Sequence, residues 1–86
     1  MQLWEIEDVV RDFVVTNFLF GQPIDLGPDE SLLARGIIDS TGVLEIIAFL
    51  EERYSIKVED HEVTPANLGS ISSISVFIGR KLELAA

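Results

Sequence analysis

The chain has 86 residues, six basic against fifteen acidic, giving a formal charge of −9. That is room for one domain, and with 48% apolar residues it can bury a core, which excludes general disorder. It has no cysteine and one histidine, His61, so a disulfide scaffold, a cysteine metal site and a cysteine nucleophile of its own are ruled out. The charge has the wrong sign for nucleic acid and suits partners with basic surfaces. No segment approaches the roughly 18 apolar residues of a membrane span, and the start at Met1 lacks the basic lead of a signal peptide. The expectation is a cytoplasmic protein, complete in itself.

The first helix is predicted over about 3–19. Leu3, Ile6, Val10, Phe13, Val14 and Asn17 recur at three and four. Glu5, Glu7, Asp8, Arg11 and Asp12 occupy much of the other side, with acids early, where the helix dipole favours them. Trp4, Val9 and Val15 fall off the stripe and mark its margins or a contact surface, and Trp4, Phe18 and Phe20 are read as core or core margin. Gly21, Pro23, Gly27 and Pro28 break the helix. A long loop follows over 21–38, of a length that is often functional. Within it 29–33 is read as one short helical turn, and Leu32, Leu33, Ile37 and Ile38 as the residues that pin the loop to the core.

The second helix is predicted over about 40–54, with Asp39 as its cap. Val43, Ile46, Ile47, Leu50 and Tyr54 form one face, while Thr41, Glu45, Ala48 and Glu52 point away and Leu44 and Glu51 lie on a flank. A short helix is expected over about 60–64 with Asp60 capping, ended by Pro65, which restricts Thr64. Ser70 caps a last helix over about 71–83, whose face is Ile71, Ile74, Phe77, Ile78 and Leu82. Gly79 weakens that helix by roughly 1 kcal/mol relative to alanine unless it permits close packing. These elements describe an all-α bundle of three to four helices with a long first connection and no strand pair.

The informative stretch is Gly36-Ile37-Ile38-Asp39-Ser40-Thr41-Gly42. Ser40 follows an apolar anchor and a capping aspartate and opens an acidic amphipathic helix. Free N–H groups and the dipole make that end favourable for a phosphate. On its own Ser40 reads rather as an ordinary first-turn residue, and Glu45, Glu51 and Glu52 of an isolated helix as a solvated face. His61 is read as an exposed loop residue. A Ser40–His61–Asp39 triad is disfavoured, because the orienting acid would be the serine's own neighbour and no glycine-rich elbow surrounds the serine. Asp25, Asp29, Asp60 and Glu62 lack the spacing of a calcium loop. No metal ligand set and no catalytic residue is assigned.

These residues together resemble the acyl carrier protein family, which includes peptidyl and aminoacyl carriers. Asp39-Ser40-Thr41 matches the family's Asp-Ser-Leu type motif, and Glu45, Glu51 and Glu52 match its acidic second helix. Leu32-Leu33-Ala34-Arg35-Gly36-Ile37-Ile38 matches the loop before the motif, and the run from Phe49 to Val58 matches the end of that helix and the apolar pair beyond it. The resemblance covers the whole chain. It implies a 4′-phosphopantetheine arm on Ser40, taken from coenzyme A with Mg²⁺ by a phosphopantetheinyl transferase that Asp39 helps to recruit. The arm's thiol would hold an acyl or aminoacyl group as a thioester. An acyl- or aminoacyl-loading enzyme and downstream enzymes would dock on Thr41, Leu44, Glu45, Ala48, Glu51 and Glu52. The protein would be a non-catalytic monomer serving fatty acid, polyketide or nonribosomal peptide chemistry. Thr41 stands where the family has leucine, and Gly42 where a larger residue is common, a form that looks more like specialised freestanding carriers, including some that receive amino acids. The competing reading is an unmodified acidic interaction module of the same fold, with an enzyme third.

Overall fold

The computed structural model of the chain describes residues 2–21 and 25–85. In order, its elements are α1 (Leu3–Phe18), α2 (Ser40–Tyr54), a single 3₁₀ turn (Asp60–Glu62), α3 (Pro65–Leu68) and α4 (Ile71–Ala85). Among the described residues there is no strand, so the architecture is the all-helical bundle that the apolar spacing calls for. Pro23, read as one of the breakers after the first helix, lies outside the described residues.

Ile6, Val10 and Val14 recur every four residues and bury one stripe of α1 to 2% exposure or less. Glu5 reaches back to accept the Gln2 N–H at 2.8 Å, half of a capping box. The stripe packs chiefly on α4, whose buried side is Ile71, Ile74, Phe77 and Ile78. A Cβ on Gly79 would lie 3.0 Å from Leu3 Cδ2, so this glycine lets the two helices approach. Ser70 opens α4, its Oγ accepting the Ser73 N–H at 3.0 Å. From α2 come Ile46, Leu50 and Tyr54, and Phe49 stacks on Phe13 with ring centroids 4.1 Å apart. Each fully buried Ile or Leu contributes roughly 1.5–3 kcal/mol. The Tyr54 hydroxyl is buried with no hydrogen-bond partner among the described residues. Burial pushes its pKa up against the opposing charge of Arg53.

Several sequence expectations need correction. Trp4 and Phe20 project into solvent, at 63% and 88% exposure, and belong to neither the core nor its margin; Phe18 is half-buried. Trp4 sits well around the helix from the Ile6 row, and Phe20 lies beyond the helix end. In the loop the turn begins at Ser31 rather than Asp29: Ser31 Oγ accepts the Ala34 N–H at 3.1 Å, and the Arg35 N–H donates to the Ser31 carbonyl at 3.0 Å. The short helix expected over 60–64 is a 3₁₀ turn capped from Glu59, whose N–H donates to Glu62 Oε1 at 2.9 Å, and not from Asp60. Finally, Pro65 does not close that segment but starts α3, with Thr64 as cap. A proline lacks only an N–H that the first helical position leaves unused.

Leu26 and Leu32 tether the loop at 5% and 0% exposure, while Leu33, read as a pin, is half-exposed. The Leu32 N–H donates to the Gly69 carbonyl at 3.0 Å, and the Ser72 N–H to the Pro28 carbonyl at 2.8 Å, so the loop is stitched to the α3–α4 junction. Arg11 donates to the Leu26 carbonyl at 2.8 Å, and Arg35 pairs with Glu30 and donates to the Asp25 carbonyl. Across the molecule, Lys81 donates to Glu62 Oε1 at 2.8 Å, and Asn67 links the Glu62 carbonyl to Arg80.

α1 ends on an uncommon cap. The Gly21 N–H donates to the Val15 carbonyl at 2.9 Å, Gly21 has φ +79°, and Phe20 has φ +54°. The chain thus leaves the helix through a left-handed residue just past the C-cap Leu19, with phenylalanine in the position that glycine usually fills. The conformation costs a non-glycine residue about 1–2 kcal/mol, and the exposed ring regains little of it. Phe20→Gly is therefore expected to raise stability by up to about 1 kcal/mol, read as a higher urea midpoint at constant m-value.

The Lys81 ammonium and then the Glu59 N–H hold the Glu62 carboxyl below the usual carboxylate range. A lowered folded pKa means stability that is full above the unfolded value and lost as pH falls through the folded one. Acidification below about pH 4 should lower amide protection in residues 63–68. Glu62→Gln should show weaker protection there at neutral pH and no acid-dependent loss; equal acid sensitivity in that variant would contradict the assignment.

Candidate functional site

The site is delivered by the last turn of the loop. After Leu32 enters the core, the Ile37 N–H donates back to the Leu32 carbonyl at 3.0 Å, and Ile38 is buried to 6% exposure. Asp39 is then extended, at φ −115° and ψ −171°, and its Oδ1 accepts the Gly42 N–H at 2.8 Å. The carboxylate thus satisfies one of the free N–H groups of the first turn. Ser40 follows as the first helical residue of α2 and is exposed.

Gly42 explains one departure of the motif. It is buried, and a Cβ there would lie 3.0 Å from Ile38 Cβ and 3.1 Å from Phe18 Cε1. A larger residue would need Ile38 and the Phe18 ring to give by a few tenths of an ångström, so glycine suits the close approach of these groups. Thr41, the other departure, is exposed. Beside these residues lies an open depression of about 590 Å³, lined by Asn17 and Phe18 of α1, the segment Gly36–Asp39, and Thr41, Gly42 and Glu45. A smaller apolar cleft of about 130 Å³ lies between the loop, α2 and α3, lined by residues including Leu33, Val43, Val63 and Leu68.

The outward face of α2 carries Thr41, Leu44, Glu45, Ala48 and Glu52, all exposed, with Leu44 at 64%. Glu51 differs. It is half-buried, and its Oε2 accepts the Val58 N–H at 2.9 Å, so its carboxylate holds the chain that leaves α2. This role has no sequence pattern, since the partner is a backbone group seven residues on. His61 lines a separate depression with Glu62, Asn67, Phe77, Arg80 and Lys81, sharing no residue with the one beside Asp39 and Thr41. The Asp39 carboxylate is committed to the helix cap, and His61 lines the other depression. Among the described residues, no group of three or more histidines and acids could hold a metal ion, and no helix is long and apolar enough to cross a membrane.

Electrostatically the site is one-sided. Four of the six basic side chains, Arg11, Arg35, Arg80 and Lys81, are spent on contacts within the fold. Glu45 and Glu52 of α2 are left to face solvent without neighbouring cations of that set.

No protein-family model matches the chain. A protein of Serratia sp. (strain ATCC 39006), described as "Probable acyl carrier protein PigG", is 24% identical over 75 residues, spanning 87% of this chain and 86% of its own. Among solved structures, a chain described as "Crystal structure of FAD-dependent dehydrogenase" superposes with a TM-score of 0.71 at 26% identity. That match covers 80% of this chain and 97% of the other.

The cap gives a direct test. Asp39→Ala should destabilise the protein by about 1 kcal/mol, and Asp39→Asn by much less, in urea unfolding followed by circular dichroism.

Proposed function

We propose that this chain, a member of the acyl carrier protein family by sequence likeness and helical fold, carries acyl or aminoacyl groups on a 4′-phosphopantetheine arm attached to Ser40. The observation that carries the proposal is the placement of Ser40. It is exposed, it is the first residue of α2, and it sits directly after a capping aspartate in a chain related over 87% of its length to a carrier protein. The residues fit the group. The first turn of α2 offers backbone N–H groups and a positive dipole end to a phosphodiester, and Ser40 is exposed there. When bound, the arm supplies a thiol that this cysteine-free chain lacks.

In the attachment step the Ser40 oxygen forms a bond to the pantetheine-side phosphorus of coenzyme A. The bond from that phosphorus to 3′,5′-adenosine bisphosphate breaks, and the hydroxyl proton leaves with the transferase or solvent. The chain's part is to present the hydroxyl; Asp39 keeps the helix start rigid, and the transferase recognises that start. A loading enzyme and downstream enzymes with basic surfaces then meet Thr41, Leu44, Glu45, Ala48 and Glu52, with Leu44 as the apolar contact inside an acidic rim. Glu51 acts from the flank, by holding the residues after α2. The likeness to a chain of a flavin-dependent dehydrogenase structure is consistent with an oxidising enzyme among these partners. We place the protein in the cytoplasm as a monomer.

Incubation with coenzyme A, Mg²⁺ and a broad-specificity phosphopantetheinyl transferase should raise the intact mass by one phosphopantetheine. Ser40→Ala should fold as the wild type does and gain nothing. A folded wild type that stays unmodified beside a working control carrier would leave the unmodified interaction module as the function.

A further inference from the structure

We propose that Phe20, at the end of α1, is an anchor by which the transferase that modifies Ser40 grips this protein. The recognition surface then spans two helices, α1 and α2. The proposal rests on the arm reading above and adds a residue and an element to it.

Three observations converge on Phe20. Its ring is 88% exposed, the most open large apolar side chain among those described. Its backbone is left-handed at φ +54°, the region a bulky residue avoids, within a cap that glycine would complete without strain. A residue held in a costly conformation and shown to solvent is not there for the fold, and such outliers point to function. Its position is the third observation. Phe20 is two residues beyond Phe18, so their Cα atoms are at most about 7.6 Å apart. Phe18 and Asn17 form the α1 wall of the depression whose other wall is Asp39, Thr41 and Glu45. The depression takes in both chain neighbours of Ser40, Asp39 and Thr41, and Phe20 follows two residues after its α1 wall.

The chemistry of the surface defines the partner. The depression mixes apolar walls, from Phe18, Ile37 and Ile38, with the polar groups of Asn17, Asp39, Thr41 and Glu45. The chain carries −9 overall, and most of its cations are engaged internally. The complement is a shallow apolar pocket for one aromatic ring, flanked by lysine or arginine that meets Asp39 and Glu45. Aromatic anchors within a charged rim are the usual carriers of binding energy at such contacts. Thr41 replaces the larger apolar residue of the family motif, so the α2 start offers less grip and the α1 end supplies it.

The test uses the full-length protein, coenzyme A, Mg²⁺ and the broad-specificity transferase, with initial rates measured against carrier concentration. Phe20→Gly should raise KM for the carrier about tenfold with kcat within twofold, although the variant is the more stable protein. Phe20→Tyr should stay close to wild type, and Trp4→Ser, which removes an equally large exposed ring elsewhere, should not change KM. An unaltered KM in Phe20→Gly, or an equal rise in Trp4→Ser, overturns the proposal while leaving the arm on Ser40. Failure of wild type itself to gain mass overturns the arm reading, and this proposal with it.

Discussion

The functional end of the molecule depends on the seating of Gly42 between Ile38 and Phe18, where a single added carbon would meet both at about 3 Å. This contact sets how close the start of α2 lies to the end of α1, so it decides where Ser40 emerges. It also accounts for the order of residues around it. Ile38 has to be apolar to close the core, Asp39 has to cap because Gly42 presents its N–H, and Ser40 is then the first residue free to face outward.

The helices were legible because each has a periodic reason to exist. Ile46, Leu50 and Tyr54 fall every four residues along α2 and are buried, and Ile6, Val10 and Val14 do the same in α1. The cap on α2 was legible for a local reason, an aspartate directly before an apolar row. What escaped were features without period or locality. Phe20 adopts a left-handed conformation that its residue type argues against. Pro65 reads as a terminator by its effect on the residue before it, yet starts a helix by its tolerance of the first position. Glu51 reads as a surface acid and is tied to the Val58 N–H. Each is settled by a backbone partner that composition does not reveal.

Charge follows the same division between fold and function. Arg11 and Arg35 close on carbonyls of the loop, and Lys81 and Arg80 close on the segment carrying Glu62 and Asn67. Cations therefore work as internal clamps, with part of their charge facing backbone dipoles rather than carboxylates. The acids of α2 keep their field, which can steer basic partners over distances comparable to the Debye length, about 8–10 Å in physiological salt.

The stitching of the loop has a further consequence, for the order in which the molecule assembles. Its two anchoring hydrogen bonds join Leu32 to Gly69 and Ser72 to Pro28, partners far apart along the chain. Such distant closures are slow compared with helix formation. During synthesis α1 and α2 emerge first and can coil early, but the loop gains its bonds to Gly69 and Ser72 only after the start of α4 has left the ribosome. The serine is therefore present before the loop that leads to it is fully fastened.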